Sequence, residues 1–302
     1  MKISVYTCCN DAIENEFTLF EGMLQALKFC DEFIYIDGGS SDGTLQWMKE
    51  FAKKDARIKI YENPWEKRMH KAMTMIQKNI ALSHCSGDWC FLMDADEMYD
   101  DFVVSDIRLI IGKCEEFRRN DVGINAVYLR AYHFYGNYYT RCIADPIYKY
   151  PYYLGKVYGI RNNLGIHHGN ADGDPDGFVD NDDKALDDRN IFSANVGVNH
   201  YGHVRSADVY LKKKNAIERR FRPDWQDLKE WDFNKLIREN PECFIKEEFI
   251  HPKIMGDRIA STVEVDSDGN ENVIHSLVQE YYKKMLPVWL DNIAILRENG
   301  VW

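Results

Sequence analysis

The sequence has no long uninterrupted apolar segment. No stretch of its 302 residues reaches the roughly 18 apolar residues that a membrane span requires. The first residues, MKISVYTCCND, lack the apolar core of a signal peptide, and the chain contains no Asn-x-Ser/Thr sequon. These absences predict a cytoplasmic protein without a transmembrane segment. They leave contact with a membrane surface open.

Basic charge is not in excess either. The chain has 38 Lys and Arg residues against 49 Asp and Glu residues, which gives a formal net charge of −11. Because nucleic-acid binding usually needs a basic face, the composition argues against a nucleic acid as partner. The negative net charge is compatible with an anionic ligand, because a metal ion or a helix terminus can make the electrostatic field positive locally.

The eight cysteines form no repeating pattern. A chain of this length can bury a core without cross-links, and scattered cysteines are typical of free thiols in a reducing compartment. The spacing of Cys85 and Cys90 matches no common zinc pair. These features exclude a disulfide scaffold, and the composition as a whole excludes a disordered tail and a fibre.

Strand and helix patterns alternate through the N-terminal third of the chain. This order predicts an α/β fold with a Rossmann-like, mostly parallel central sheet flanked by helices. Such sheets bind ligands at the carboxyl ends of their strands. The predicted strands are Ile3–Thr7, Glu32–Ile36, Ile58–Tyr61 and Trp89–Met93, and the predicted helices are Asn10–Ala26, Thr44–Lys53 and Met69–Ser83.

The later part of the chain has a different pattern. A strand is predicted at Val127–Arg130, and the tyrosine-rich segment after it fits either a half-buried strand surface or a platform for sugar rings. We expect one domain over residues 1–205 and a helical C-terminal region over residues 206–302 that packs on it. Helical patterns in that region cover Asp208–Arg220, Gln226–Asn240 and Val273–Leu296.

Asp94-Ala95-Asp96 directly follows the fourth predicted strand. Two carboxylates at a strand end repel each other unless a cation neutralises them, and Mg²⁺ or Mn²⁺ would do so while holding substrate phosphates. The same residues also fit a helix N-cap or a solvated turn. His200 and His203 follow another short strand, and one of them, preferably His200, is a candidate third ligand; the alternative is a pair of ordinary histidines.

Two further segments are candidates for ligand contacts. Asp37-Gly38 ends the second predicted strand, where glycine permits a tight turn and Asp37 could accept a hydrogen bond from a base or a ribose hydroxyl. Lys67 and Arg68 precede the third predicted helix and suit a diphosphate or a nucleobase, although a solvated helix start explains them equally well.

An acidic, glycine-rich loop occupies residues 165–188. Its aspartates resemble the start of a calcium loop, but the closing Glu and the flanking helices of an EF-hand are missing, so we do not expect calcium there. His168, Asp172 and Asp174 instead suit the acceptor side of an active site and are the candidate general bases.

Taken in order, these pieces resemble family 2 glycosyltransferases with the GT-A fold. The resemblance covers the N-terminal third of the chain, and its separate motifs are specific only in combination. They are Ile3–Thr7, Ile34–Thr44, Gln77-Lys78-Asn79, Gly87-Asp88-Trp89 and Leu92–Glu97, with a later similarity at Val198–Val204.

The resemblance implies transfer of a sugar, with inversion, from a nucleotide-diphosphate sugar to a glycan or glycoconjugate hydroxyl, with Mn²⁺ or Mg²⁺ as cofactor. Thr7 and Asp37 would hold the base, Asp94 the ribose and Asp96 the metal. The family's usual pair of residues for the catalytic base is absent at 165–169, so the base is left open. A nucleotidyltransferase and a non-catalytic sugar-binding protein are the alternatives, and the oligomeric state is open.

Overall fold

The computed structural model describes residues 1–65, 72–119, 123–147, 149, 151, 154–169, 177–222, 224–246 and 249–299. Strands and helices alternate at the start, as the sequence predicts. The helices are α1 Leu19–Ala26, α2 Thr44–Lys54, α3 Met73–Ser83, α4 Asp101–Arg119, α5 Ala207–Phe221, α6 Phe233–Glu239, α7 Gly256–Thr262 and α8 His275–Asn299. Short 3-10 helices lie at Asp188–Asn190, Pro241–Cys243 and Lys253–Met255.

Most strands of the described chain belong to one central sheet. Its main path runs β12-β7-β6-β8-β4-β1-β2-β3, with β11 and β5 attached through β6. The strands are β1 Ile3–Cys9, β2 Glu32–Asp37, β3 Ile58–Glu62, β4 Trp89–Leu92, β5 Glu97–Tyr99, β6 Ala126–Tyr135, β7 Thr140–Cys142, β8 Gly155–Arg161, β9 His167–Gly169, β10 Gly177–Val179, β11 Ile191–His203, β12 Phe244–Lys246, β13 Val263–Val265 and β14 Glu271–Val273.

The predicted α/β class with a helix-flanked central sheet is confirmed. Strands β4, β1, β2 and β3 are parallel, as are β6 and β11, whereas β8, β7, β12 and β5 pair antiparallel. Strands β1 and β2 are buried on both faces. Ile3 and Val5 face a core shared with α1, α2 and α4, while Tyr6 and Cys8 face a second core under α3. Double burial is the usual state of parallel strands.

Two helices begin well after their predicted first residues. The first predicted helix begins at Leu19 and not at Asn10, because the preceding segment forms turns with positive φ at Asp11 and Glu16. The helix predicted at Gln226–Asn240 is shortened to α6, which begins after the side chain of Asp232 caps the nitrogen of Lys235.

The C-terminal helices pack against the N-terminal half. The buried guanidinium of Arg258 donates to Glu21 of α1 at 2.8 Å. Glu16 accepts from the nitrogen and hydroxyl of Ser206, each at 2.7 Å, and lies 2.7 Å from Nδ1 of His275. Whether residue 205 is a domain boundary stays a prediction. No helix in the described residues is long and apolar enough to cross a bilayer.

Candidate active site

A cleft of about 480 Å³ opens where β1 and β4 reach their carboxyl ends. This is the position at which open parallel sheets bind ligands. The residues before α1, the start of α3 and the middle of α5 form its walls. Its lining includes Cys8, Cys9, Asn10, Phe17, Trp65, Lys78, Asp94, Ala95, Asp96, Glu97, Lys156, His200 and Lys213.

Two lysines hold Asp94 from opposite parts of the fold. Lys78 of α3 lies 2.8 Å from Oδ1, and Lys156 of β8 lies 2.8 Å from Oδ2. Burial alone would raise the pKa of Asp94, but the charges of Lys156 and Lys78 outweigh it and hold that pKa well below its usual range. Asp94 is therefore ionised and fixed between two ammonium groups.

Asp96 has its own pair of cations. Arg205 and Lys213 lie 2.9 Å and 3.1 Å from its Oδ2. Burial raises the pKa of Asp96, and the charges of Lys213 and Arg205 lower it further than burial raises it, to well below the usual value. Burial and the neighbouring Arg205 lower the pKa of Lys213 to about 8.

His200 is a neutral base beside Asp96. Burial lowers its pKa to about 3, although the charge of Asp96 opposes the shift. Its Nδ1 lies 3.0 Å from Nδ1 of His133, so one of the two rings donates to the other. When His200 is the donor, its Nε2 keeps a lone pair and faces Oδ1 of Asp96 at 3.8 Å.

His200 and Asp96 are arranged as two of the ligands that a divalent metal ion would need. A Cβ on Gly202 would lie 2.4 Å from Nε2 of His200 and 2.9 Å from Oδ2 of Asp96, so glycine keeps open a cradle between the two donors. Among the described residues no three His, Cys, Asp or Glu side chains meet to hold a metal. Mg²⁺ sites commonly use one or two carboxylates and complete their shell with substrate phosphates and water. The carboxylate of Asp96 and an open remainder fit that chemistry, and His200 adds a nitrogen donor.

His203 and Asp94 are less suited to bind the metal. Nδ1 of His203 lies 3.0 Å from the hydroxyl of Tyr210, and the ring is not part of the cleft lining. The oxygens of Asp94 are engaged by lysines, as described above. Of the four predicted metal ligands, the structure brings Asp96 and His200 together with space between them.

Glu97 is a cleft residue that the sequence did not single out. Burial raises its pKa, although the charge of Lys156 opposes that shift. Its Oε1 accepts from the Tyr158 hydroxyl at 2.9 Å and lies 3.1 Å from Lys156. Glu97 thereby fixes the ammonium group that also holds Asp94.

The predicted base-binding residues lie beneath the cleft. Asp37 is buried, and its oxygens accept from the nitrogens of Gly39 and Ser40 and from the Tyr35 hydroxyl, each at 2.8 Å. Thr7 is fully buried, and its hydroxyl has no hydrogen-bond partner in the described chain. In this arrangement neither side chain lines the cleft.

Trp65 covers the turn in front of Asp37. A Cβ on Gly38 would lie 2.4 Å from Nε1 of Trp65, so only glycine lets the indole lie this close. Trp65 lines the cleft, and its buried Nε1 has no hydrogen-bond partner among the described residues. The indole is therefore the aromatic surface available at this end of the cleft.

His168 lies away from the cleft, which corrects its assignment as a candidate base. It is 1% exposed, its Nε2 lies 2.8 Å from the Tyr6 hydroxyl, and its backbone bonds to the side chain of Asn79 on α3. A histidine enclosed between β1 and α3 cannot reach an acceptor hydroxyl. Asp172, Asp174, Lys67 and Arg68 lie outside the described residues.

The positively charged side chains around Asp94 and Asp96 were not equally recognisable from the sequence. Lys78 lies in the motif Gln77-Lys78-Asn79, and Lys213 in the triplet Lys212–Lys214, but neither segment indicated a partner. Arg205 and Lys156 had no local signal, because only the folding of β8 and the end of β11 brings them to Asp94 and Asp96. A charge pairing across the fold has no fixed spacing in sequence.

Comparison with known proteins finds similarity to glycosyltransferases in the N-terminal part of the chain. Residues 19–111 match the family model described as glycosyl transferase family 2. Over 86 residues the chain is 34% identical to the lipopolysaccharide core biosynthesis glycosyltransferase LpsC of Rhizobium meliloti (strain 1021), a match that covers 28% of this chain and 30% of that relative. The aligned part thus spans less than a third of that relative's length.

Two solved structures of S. aureus TarS 1-349 are also similar. The complex with UDP has a TM-score of 0.42 and 13% identity, covering 75% of this chain and 68% of that one. The complex with UDP-GlcNAc has a TM-score of 0.34 and 18% identity, covering 45% and 36%. The matched segment 19–111 contains Asp37, Lys78, Asp94 and Asp96 of the site. Residues 19–111, which contain these side chains, are thus similar to glycosyl transferase family 2.

Proposed function

We propose that this protein transfers a sugar, with inversion, from a nucleotide-diphosphate sugar to a hydroxyl of a glycan or glycoconjugate. One observation carries the proposal: Lys78, Lys156 and Lys213 line one cleft and contact Asp94 or Asp96, and buried Arg205 is a further partner of Asp96. The match of residues 19–111 to glycosyl transferase family 2 supports the reaction class, and the cleft supports the kind of donor.

The charge of the cleft suits a diphosphate. Asp94 and Asp96 carry two negative charges, and Glu97 supplies a third when ionised, against four cationic side chains. Even then the cations are in excess by one, in a chain whose formal net charge is −11. An added diphosphate would share the ammonium groups of Lys78, Lys156 and Lys213, which form strong charge-assisted hydrogen bonds with phosphate oxygens. The cleft is therefore a local positive site in an acidic protein.

Asp96 and His200 would hold Mn²⁺ or Mg²⁺. A bound divalent ion would act as a Lewis acid that stabilises charge on the leaving diphosphate. Arg205 and Lys213 keep Asp96 ionised, and the contact with His133 orients the ring of His200, as outer partners do for metal-ligating histidines.

Inversion requires removal of the acceptor proton on the face opposite the leaving group. Asp172 and Asp174 stay our candidates for this base. In sequence they lie between β9 and β10, and β9 packs beside α3. His168 does not share this role, because its ring nitrogen is bonded to Tyr6 inside the core.

Release of nucleoside diphosphate from a sugar nucleotide, measured without acceptor, tests the proposal directly. UDP-, GDP-, dTDP-, CDP- and ADP-linked sugars are each incubated with the protein and Mn²⁺. We expect slow hydrolysis of one donor by the wild type and its loss in Asp96→Asn. Binding of a donor without any turnover, with or without added sugar acceptors, would instead favour a non-catalytic binding protein.

A further inference from the structure

A second cavity lies next to the cleft, on β6 and β7. Its volume is about 440 Å³. It shares no lining residue with the cleft, but His133 lines it and contacts His200, which lines the cleft. Its lining includes Tyr128, Arg130, Tyr132, His133 and Arg141.

The charge of this cavity is positive. Arg130 and Arg141 line it, and no Asp or Glu is found among its described lining residues. Neither arginine forms an ion pair within the described part of the chain, whereas carboxylates pair with Arg57, Arg108, Arg161, Arg189, Arg205, Arg219, Arg222 and Arg258. Two unpaired guanidinium groups in one cavity of an acidic protein favour an anionic ligand.

Aromatic rings position one of the two arginines. The guanidinium carbon of Arg141 lies 5.4 Å from the ring centre of Tyr132 and 5.2 Å from that of Phe249. Arg141 is partly buried by these contacts, while Arg130 is exposed. Ring contacts occupy the faces of a guanidinium and leave its in-plane N–H groups free to donate, the fork that matches carboxylate and phosphate.

The cavity and the cleft share a pair of strands. β8 pairs with β6 so that Lys156, which holds Asp94, is opposite Leu129, and Gly155 is opposite Arg130. The hydroxyls of Tyr128 and Tyr132 add groups that suit a sugar. We infer that this cavity binds an acceptor sugar through its anionic group, a carboxylate or a phosphate, held by Arg130 and Arg141. The inference rests on the proposed function, since it assigns this cavity to the acceptor.

The test measures binding of three soluble sugars without nucleotide: glucuronate, glucose 6-phosphate and glucose. We expect at least one charged sugar to bind about tenfold more tightly than glucose, as for a hydrogen bond to a charged group. Comparison of glucuronate with glucose 6-phosphate tells a carboxylate from a phosphate. Equal affinity for glucose and both charged sugars would overturn the inference.

Variants of the two arginines test whether the charged sugars bind in this cavity. Arg141→Gln and Arg130→Gln are each expected to remove that advantage, while Arg189→Gln, an exposed arginine paired with Asp187, keeps it. Because Arg130 is exposed, its variant keeps the test valid should Arg141→Gln fail to fold. If the charged sugars bind both variants with the same affinity as the wild type, they bind elsewhere, for example in the donor cleft. That result would contradict the inference. Failure of the proposed function is separate, since it would appear as loss of nucleotide binding or donor hydrolysis.

Discussion

Lys213 on α5 lies 3.1 Å from Oδ2 of Asp96, a residue 117 positions earlier in the chain. The contact joins the end of the parallel sheet to the first long helix after β11. It places a cation in the cleft that the N-terminal strands alone would not supply. The proposed donor site is thus completed by the region that follows β11.

The first prediction concerns this contact. Lys213→Met should weaken nucleoside-diphosphate binding about tenfold or more, because a hydrogen bond to a charged group is lost. Asp96 keeps Arg205 as partner, so the fold should be retained. Lys212→Met is the matched control, since Lys212 is exposed and lies 3.6 Å from Glu14. Calorimetric titration with UDP and the other diphosphates measures both, and equal losses in the two variants would contradict the role of Lys213.

The two histidines of β11 should differ in their effect on metal binding. His200→Ala should remove the strengthening of nucleotide binding by Mn²⁺, because His200 faces the cradle beside Asp96. His203→Ala should keep most of it, since that ring contacts Tyr210. Nucleotide titrations with and without Mn²⁺ compare the variants. A larger loss in His203→Ala would move the ligand to His203.

Trp65 should act as a stacking surface for the nucleobase. Stacking of a base on an aromatic side chain contributes about 1–3 kcal/mol, so Trp65→Ala should weaken UDP binding roughly tenfold to a hundredfold. Trp65→Phe should recover part of the loss because it keeps an aromatic face. Binding of ribose 5-phosphate, which has no base, is the control and should not change. A loss of equal size for that ligand would show that Trp65 acts on the cleft as a whole.

Glu32 provides a prediction about stability and pH. This buried carboxylate accepts from Ser4 at 2.6 Å, from the nitrogen of Ser86 at 2.5 Å and from Lys59 at 2.5 Å. Burial alone would raise the pKa of Glu32, but the hydrogen bonds from Lys59, Ser4 and Ser86 hold it well below the usual value. Its ionised form therefore stabilises the fold at pH 7.

The sign of the pH effect follows from this lowered pKa. The stabilisation is fully present above the unfolded-state pKa of about 4.3 and is lost as pH falls towards the folded-state value. Glu32→Gln should lower the free energy of unfolding at pH 7 by about 3 kcal/mol, as for removal of one partner of a buried ion pair. Urea unfolding at pH 7 and pH 3.5 should show that the difference narrows in acid. A difference that grows in acid would contradict the assignment.

The sequence predicted the parallel part of the sheet well, because its strands are short runs rich in apolar residues that are separated by helical patterns. Asp94 and Asp96 were found for the same reason, since they end the most apolar of these strands. Arg205 and Lys156 were not predicted, because long-range pairing across β8 and β11 leaves no local pattern. His168 was misjudged since a histidine in an acidic segment gives no sign that its ring packs on Tyr6.

The most direct test of the central claim is calorimetric titration of UDP, GDP, dTDP, CDP and ADP, each with and without Mn²⁺, into wild type and Asp96→Asn. We expect wild type to bind one of them and Mn²⁺ to strengthen this binding. We expect Asp96→Asn to lose the effect of Mn²⁺ and, with its fold intact, to retain weaker metal-free binding through the cationic side chains. Absence of binding to wild type, or an undiminished effect of Mn²⁺ in Asp96→Asn, would contradict the proposed donor site.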